Sequence, residues 1–288
     1  MASNKPETKT KIPTLFWAFA IVLALAAAVG GYIIGLNEGR EQGQAMAAHG
    51  ASVGTGTQNS SESVANEIPD VAPGTDFSTP EPNSDGHFDA QGYGAAGPVN
   101  SMDDVGNVPR RDANDPMAIG ALDAPLVISE LSDFGCPYCA QFATETEPEL
   151  ISQYVDSGLV RIEFNDLTVN GENSEAASRA ARAAAEQGRF FEFKDALFAD
   201  FKHEPYTLDD FVAYAEEAGV EDVEKFREDA ESDKYDEAIT GARDYALGLG
   251  IDGTPGFVIG TKVVSGALPL AEFEKVINEE LEATQAKA

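Results

Sequence analysis

Cysteine is nearly absent from this chain: two residues in 288, Cys136 and Cys139. A bond between cysteines this close closes almost no loop and adds little to folding, so a stabilising disulfide framework is excluded. Histidine is scarce as well, with three residues, none of them near the cysteines in sequence. Zinc takes about four ligands, and without a second cysteine pair no metal centre is expected, nor any other cofactor. His49 and His87 read as solvated and idle. Basic residues are few, 19 against 50 acidic ones, for a formal net charge of −31. A polyanion would be repelled by most of such a surface, which excludes nucleic acid as a partner. The acidity serves solubility.

Charge is missing altogether from 12 to 36, a run that includes Leu15, Phe16, Trp17, Ile21, Val22, Leu23, Ile33 and Ile34. A helix crosses a bilayer in about 20 residues, so 12–36 is expected to be a transmembrane signal-anchor helix in the lipid bilayer. Lys5, Lys9 and Lys11 precede it, which places 1–11 in the cytoplasm and the rest of the chain outside, as a single-pass protein of the cell membrane. A cleaved signal peptide is the alternative. Its apolar core spans about 7–15 residues, however, and the small residues near Ala45 and Ala47 lie far from the end of the run. From 37 to 114 the composition turns to Gly, Ser, Pro and Asp without sustained periodicity, as in Gly54-Thr55-Gly56-Thr57 and Thr79-Pro80-Glu81-Pro82. Such a segment buries too little apolar surface to offset its ordering entropy and is expected to be a disordered linker.

Compact elements begin near 115. Residues 126–131 and 159–164 read as strands. Helical patterns cover 175–187, with Ser174 as N-cap, then 190–198, 208–218, 223–230 and 235–249. A hairpin is expected from 257–259 and 262–264 around Gly260-Thr261. A last helix repeats Leu270, Phe273, Val276, Ile277 and Leu281 at helical spacing. This order is α/β, with helices available for both faces of a sheet.

What the cysteines lack as a staple they offer as chemistry. Cys136-Pro137-Tyr138-Cys139 follows an apolar strand and opens a helix. Unpaired N–H groups and the macrodipole at a helix start favour a thiolate on Cys136, while Cys139, one turn in, is shielded and suits a resolving thiol. Pro137 fits the first helical turn, where it has no N–H bond to lose.

The stretch from Met117-Ala118-Ile119-Gly120 through Pro125-Leu126-Val127-Ile128-Ser129-Glu130-Leu131-Ser132-Asp133-Phe134-Gly135 to Cys139 resembles the active-site region of DsbA-like thioredoxin-fold proteins, in their membrane-anchored actinobacterial form. Gly253-Thr254-Pro255-Gly256-Phe257 resembles that family's cis-proline loop. The resemblance covers 115–288. It implies a thioredoxin fold with a helical insertion at about 173–249, Cys136 as nucleophile and Cys139 as resolving thiol. Pro255 is then the cis-proline, and Thr254 the residue whose backbone pairs with an extended substrate. Pro137 and Tyr138 are placed with them on the substrate-binding surface. Glu130, six residues before Cys136, falls where this fold carries a buried acid. A desolvated carboxyl there would exchange a proton with Cys139; the alternative is a solvent-facing strand residue. Tyr138 departs from the histidine of strongly oxidising members and implies a less oxidising disulfide.

The activity implied is thiol:disulfide exchange with exported cysteine-containing polypeptides outside the cytoplasm, where disulfides persist. The direction expected is oxidation, with a membrane redox partner to reoxidise the dithiol. A reductase or isomerase, or a non-catalytic tethered peptide-binding or redox-sensing module, are the alternatives. A pure binding module has no need of the second thiol.

Overall fold

The computed structural model describes residues 68–286 apart from 96, 98, 100 and 101. The expected membrane span at 12–36 and the cytoplasmic segment 1–11 lie outside the described residues. Among the described residues no helix is long and apolar enough to cross a membrane.

Two strands, β2 (Leu126–Ser132) and β3 (Val160–Asp166), form the centre of the sheet and are buried along their whole length. Strands covered on both faces need no polar alternation, which is why Leu126, Val127 and Ile128 are consecutive. The sheet also contains β1 (Ala118–Ile119), β4 (Gly256–Ile259) and β5 (Lys262–Ser265), in the order β1-β3-β2-β4-β5. β2 and β3 are parallel, whereas β1 on β3, β4 on β2 and β5 on β4 are antiparallel.

The crossover from β2 to β3 is a helical stretch of changing pitch. It opens as α1 (Pro137–Gln141), widens to a π turn at Phe142–Thr146, returns as α2 (Glu147–Leu150) and ends in a second π turn, Ile151–Val155. Pro148 accounts for the first widening: it has no N–H for the α-helical ladder, and Glu147 N–H bonds instead to the Phe142 carbonyl, five residues back. Between β3 and β4 stand α3 (Glu172–Ala185), α4 (Phe190–Ala199), α5 (Leu208–Glu217), α6 (Val223–Glu231) and α7 (Asp236–Gly248); α8 (Leu270–Gln285) ends the chain's packed part. This is a thioredoxin-type α/β fold with a helical block inserted after β3.

Leu126, Ile128, Phe257 and Ile259 meet Phe142, Phe273 and Ile277 in one core layer. Phe142, Phe257 and Phe273 lie with ring centroids 4.7 to 5.2 Å apart. A second core joins Phe134, Cys139 and Phe164 to the alanine face of α3 and to Phe190, Phe193 and Phe198 of α4.

Two expectations are corrected. The helix after β3 starts at Glu172 behind Gly171, whose φ of 95° ends the preceding loop, and Ser174 is buried inside the first turn instead of capping it. More consequentially, of the 37–114 segment expected to be a disordered linker, 37–67 lies outside the described residues, whereas from Ile68 the chain forms an ordered strap over the domain, with Ala90, Val105 and Val108 buried. The Asp123 carboxylate accepts the Thr75 and Asp76 N–H groups, both at 2.8 Å. Glu163 accepts the N–H of Arg110 at 2.7 Å and of Arg111 at 2.8 Å. Arg182, buried, donates to the Ala90 carbonyl at 2.5 Å. The strap's own hydrogen bonds are short turns, such as Asn83 N–H to the His87 carbonyl, and one 3-10 turn at Met102–Asn107, while its longer-range bonds run to the body, so it has no sustained period to be read.

Candidate active site

Three backbone arrangements bring the site together. β2 delivers Ser132 and then the Asp133–Gly135 turn to the start of α1, where Cys136 occupies the N-cap in an extended conformation (φ −99°, ψ 121°). The Cys139 and Ala140 N–H groups both point back to the Cys136 carbonyl, at 3.1 and 3.2 Å. The loop entering β4 brings Thr254 alongside, and the Thr254–Pro255 peptide bond is cis. The Cys136 S–H donates to the Thr254 carbonyl oxygen at 3.4 Å, across 118 positions of sequence.

Both cysteines are free thiols. Their surroundings differ. Cys136 keeps 5 % of its surface exposed and Cys139 none, while Tyr138 between them is 62 % exposed. The Cys136 thiol is lowered to about 6, first by the hydrogen bond it receives from Cys139, then by the Thr254 side chain and the Cys139 and Tyr138 N–H groups, which together outweigh its burial. Cys139 moves the opposite way: burial and the neighbouring Cys136 hold its thiol well above the ordinary range. One proton is thus shared unequally, with the negative charge placed at the mouth of the site.

The strand that leads to the cysteines carries a buried acid, and a buried ion pair lies near it. Glu130, on the same face of β2 as Ile128 and Ser132, is buried, and neither carboxyl oxygen has a hydrogen-bond partner. Burial, followed by the nearby Glu147, raises it to about 8, against the opposing pull of Lys194. Glu147 of α2 and Lys194 of α4 form a fully buried ion pair. Burial raises Glu147 too. Lys194 stays protonated because Glu147 and Glu130 outweigh its desolvation. One cation facing two carboxyls can neutralise only one of them, so the other, Glu130, holds a proton near neutral pH.

The structure therefore brings Cys136 and Cys139 together with Thr254 and Pro255, leaves Pro137 and Tyr138 exposed beside them, and buries Glu130 on β2, two residues before Ser132. The residues that sequence reasoning passed over are Glu147, Lys194, Asp133 and Asn170. Lys194 gave no clear signal, since Glu192 and Asp195 flank it in Phe190-Phe191-Glu192-Phe193-Lys194-Asp195-Ala196-Leu197-Phe198 and make it read as part of a solvated helix face. Among the described residues no cluster of side chains has the makings of a metal site.

Comparison with known proteins bears on this arrangement. Residues 112–279 match the family model described as Thioredoxin, and residues 41–108 match the one described as DsbA, N-terminal domain. The probable disulfide bond formation protein D of Bacillus cereus is 28 % identical over 173 residues, covering 57 % of this chain and 78 % of that protein. The crystal structure of oxidised BdbD from Bacillus subtilis superposes with a TM-score of 0.54 at 19 % identity, over 72 % of this chain and all of that one (100 %), a likeness of fold. A periplasmic thioredoxin-like protein from Salmonella enterica serovar Typhimurium superposes with a TM-score of 0.52 at 25 % identity, over 65 % and 99 % of the two chains. With its two-cysteine motif, thioredoxin-type sheet and helical block, the chain belongs to the thioredoxin family, as a DsbA-type protein thiol:disulfide oxidoreductase.

Proposed function

We propose that the protein is an extracytoplasmic, membrane-anchored oxidase that passes the Cys136–Cys139 disulfide to thiols of exported polypeptides. The observation that carries this direction is the opposed placement of the two thiols: Cys136 is lowered to about 6 and Cys139 is raised. A thiolate stabilised in the dithiol form makes the disulfide easier to reduce, and hence a better donor of oxidising equivalents. Tyr138, a neutral phenol, adds less to this than a cationic side chain would.

In the reaction a substrate thiolate attacks Cys136 Sγ. A substrate–Cys136 disulfide forms, the Cys136–Cys139 bond breaks, and Cys139 leaves with the electron pair and takes a proton. Glu130, protonated and buried on the strand that leads to the motif, is assigned as the donor. A second substrate thiolate then attacks the substrate sulfur of the mixed disulfide, and Cys136 leaves as its stabilised thiolate. Reoxidation reverses the first half against a disulfide of a membrane redox partner, with the deprotonated fraction of Glu130 receiving the Cys139 proton. The backbone of Thr254 and the exposed Pro137 and Tyr138 form the surface for the extended substrate.

The anchor is residues 12–36, with 1–11 in the cytoplasm and the oxidoreductase domain outside. The periplasmic description of the Salmonella protein supports that side of the membrane. The test is equilibration of the full chain with a glutathione series. An oxidase of exported proteins requires a Cys136–Cys139 potential at or above the range of about −230 to −120 mV spanned by glutaredoxins and strong disulfide donors. A value near that of thioredoxin, about −270 mV, would replace oxidation by reduction as its task.

A further inference from the structure

Between β2 and α1 stands a fully buried acid that the mechanism above does not use. The main chain of Asp133 touches both cysteines: its N–H donates to Cys139 Sγ at 3.5 Å, and its carbonyl accepts the Cys136 N–H at 3.0 Å. Its carboxylate is bonded by neutral N–H groups alone. One oxygen accepts Gly135 N–H at 2.8 Å; the other accepts Val169 N–H at 2.8 Å, Asn170 N–H at 2.9 Å and Asn170 Nδ2 at 2.8 Å. The clamp thus ties the turn before Cys136 to the loop after β3. Gly135 shows how little room the turn has, since a Cβ there would lie 2.6 Å from Ser174 Oγ and 3.3 Å from Asn170 Cβ.

Resting on the reading of Cys139 as the leaving sulfur, we infer that Asp133 is a positioning residue for disulfide opening, its carboxylate clamp holding its own N–H against Cys139 Sγ. As the substrate thiolate bonds to Cys136 Sγ, the Cys136–Cys139 bond breaks and the electron pair stays on Cys139 Sγ until a proton arrives. That sulfur is wholly buried, where a thiolate is disfavoured. A main-chain N–H fixed beside it acts on the developing charge as preorganised donors act on an oxyanion, without reorganising during the reaction. An acceptor-only side chain is required, because all four groups facing it are donors; an amide would turn its own N–H₂ toward them.

Three full-length proteins test this: wild type, Asp133→Asn and Asn170→Ala. Asn170 is exposed, so its truncation leaves a folded chain lacking a single clamp bond. Each is equilibrated with reduced and oxidised glutathione, and the rate at which a cysteine-containing peptide opens the disulfide is followed by mass spectrometry. Asp133→Asn should slow opening by about tenfold and shift the equilibrium toward the disulfide by less, because Cys139 ends as a protonated thiol, with smaller changes in the same directions for Asn170→Ala. A purely structural clamp would lower the melting temperature while leaving equilibrium and opening rate within about twofold of wild type in both variants, and that result overturns the inference. Should Asp133→Asn fail to fold, Asn170→Ala alone decides in the same terms. A wild-type chain that does not exchange with glutathione would overturn the functional reading and this inference with it, an outcome distinct from variants that match an active wild type.

Discussion

Cys136 Sγ lies 3.4 Å from the carbonyl oxygen of Thr254, a residue 118 positions further along the chain. The contact joins the open end of α1 to the loop entering β4. In the proposed function it sets Cys136 beside the backbone on which an extended substrate would dock. It also brings the Thr254 side chain close enough to lower the Cys136 thiol.

Thr254→Val keeps the shape of that side chain and the backbone carbonyl but removes the hydroxyl. The Cys136 titration, read as thiolate absorbance at 240 nm, should move up from about 6 by no more than roughly one unit, or about 1.4 kcal/mol. The glutathione equilibrium should move toward the disulfide. An unchanged midpoint would mean that Thr254 acts through its backbone alone.

Cys139→Ala removes the largest of the contributions that lower Cys136. The Cys136 midpoint should then rise toward the ordinary thiol range of about 8.5. Because the resolving thiol is gone, substrates should accumulate as mixed disulfides on Cys136, visible on non-reducing gels of membrane fractions. In the reduced wild type, iodoacetamide at neutral pH should label Cys136 ahead of Cys139. Preferential labelling of Cys139 would reverse the assigned roles.

Glu130 gives the protein a pH signature. Its carboxyl is raised from 4.5 to about 8 by burial, so between these values the folded chain holds a proton that the unfolded chain releases. The stability associated with this group is therefore full below about pH 4.5 and is lost as pH rises through about 8. Glu130→Leu should be more stable than wild type near pH 8 by about 1–4 kcal/mol, because Lys194 keeps Glu147 as its partner. The difference should close toward pH 4.5 in urea unfolding. In the same variant, reoxidation of the dithiol should slow about 10²-fold for want of the proton acceptor. A gap that does not vary with pH would show that Glu130 does not hold the proton.

How much of this was legible in the sequence follows from where each residue's partners lie. Cys136, Cys139 and Pro255 sit in short stretches whose pattern is local, and the elements around them could be placed from period and turn residues. Glu130 was half legible. A lone acid in an apolar strand is conspicuous, but alternation left its direction open until β2 was seen to be covered on both faces. Glu147, Lys194 and Asp133 were not legible, because their partners lie 47 residues away for the ion pair and 36 to 37 for Asp133 with the loop after β3. The strap from Ile68 was hidden for the same reason: part of its anchorage comes from Asp123, Glu163 and Arg182, none of which belongs to it.

Glu163 tests that last point. It is buried in β3, and its carboxylate accepts the Arg110 N–H at 2.7 Å, the Arg111 N–H at 2.8 Å and the Arg161 guanidinium at 3.1 Å. Two of these three donors belong to the strap, so the strap's anchorage and the pairing of a buried arginine depend on one side chain. Glu163→Ala leaves Arg161 without its carboxylate and two N–H groups without acceptors, a loss of about 3–5 kcal/mol expected for breaking a buried pair from one side. Urea unfolding should report that loss, and limited proteolysis should cut the strap between 68 and 114 sooner than in wild type. Glu163 has no part among the groups that lower Cys136, so the thiolate midpoint should stay near 6. Full stability in Glu163→Ala would show that the strap is held by its apolar contacts at Val105 and Val108 and not by this carboxylate.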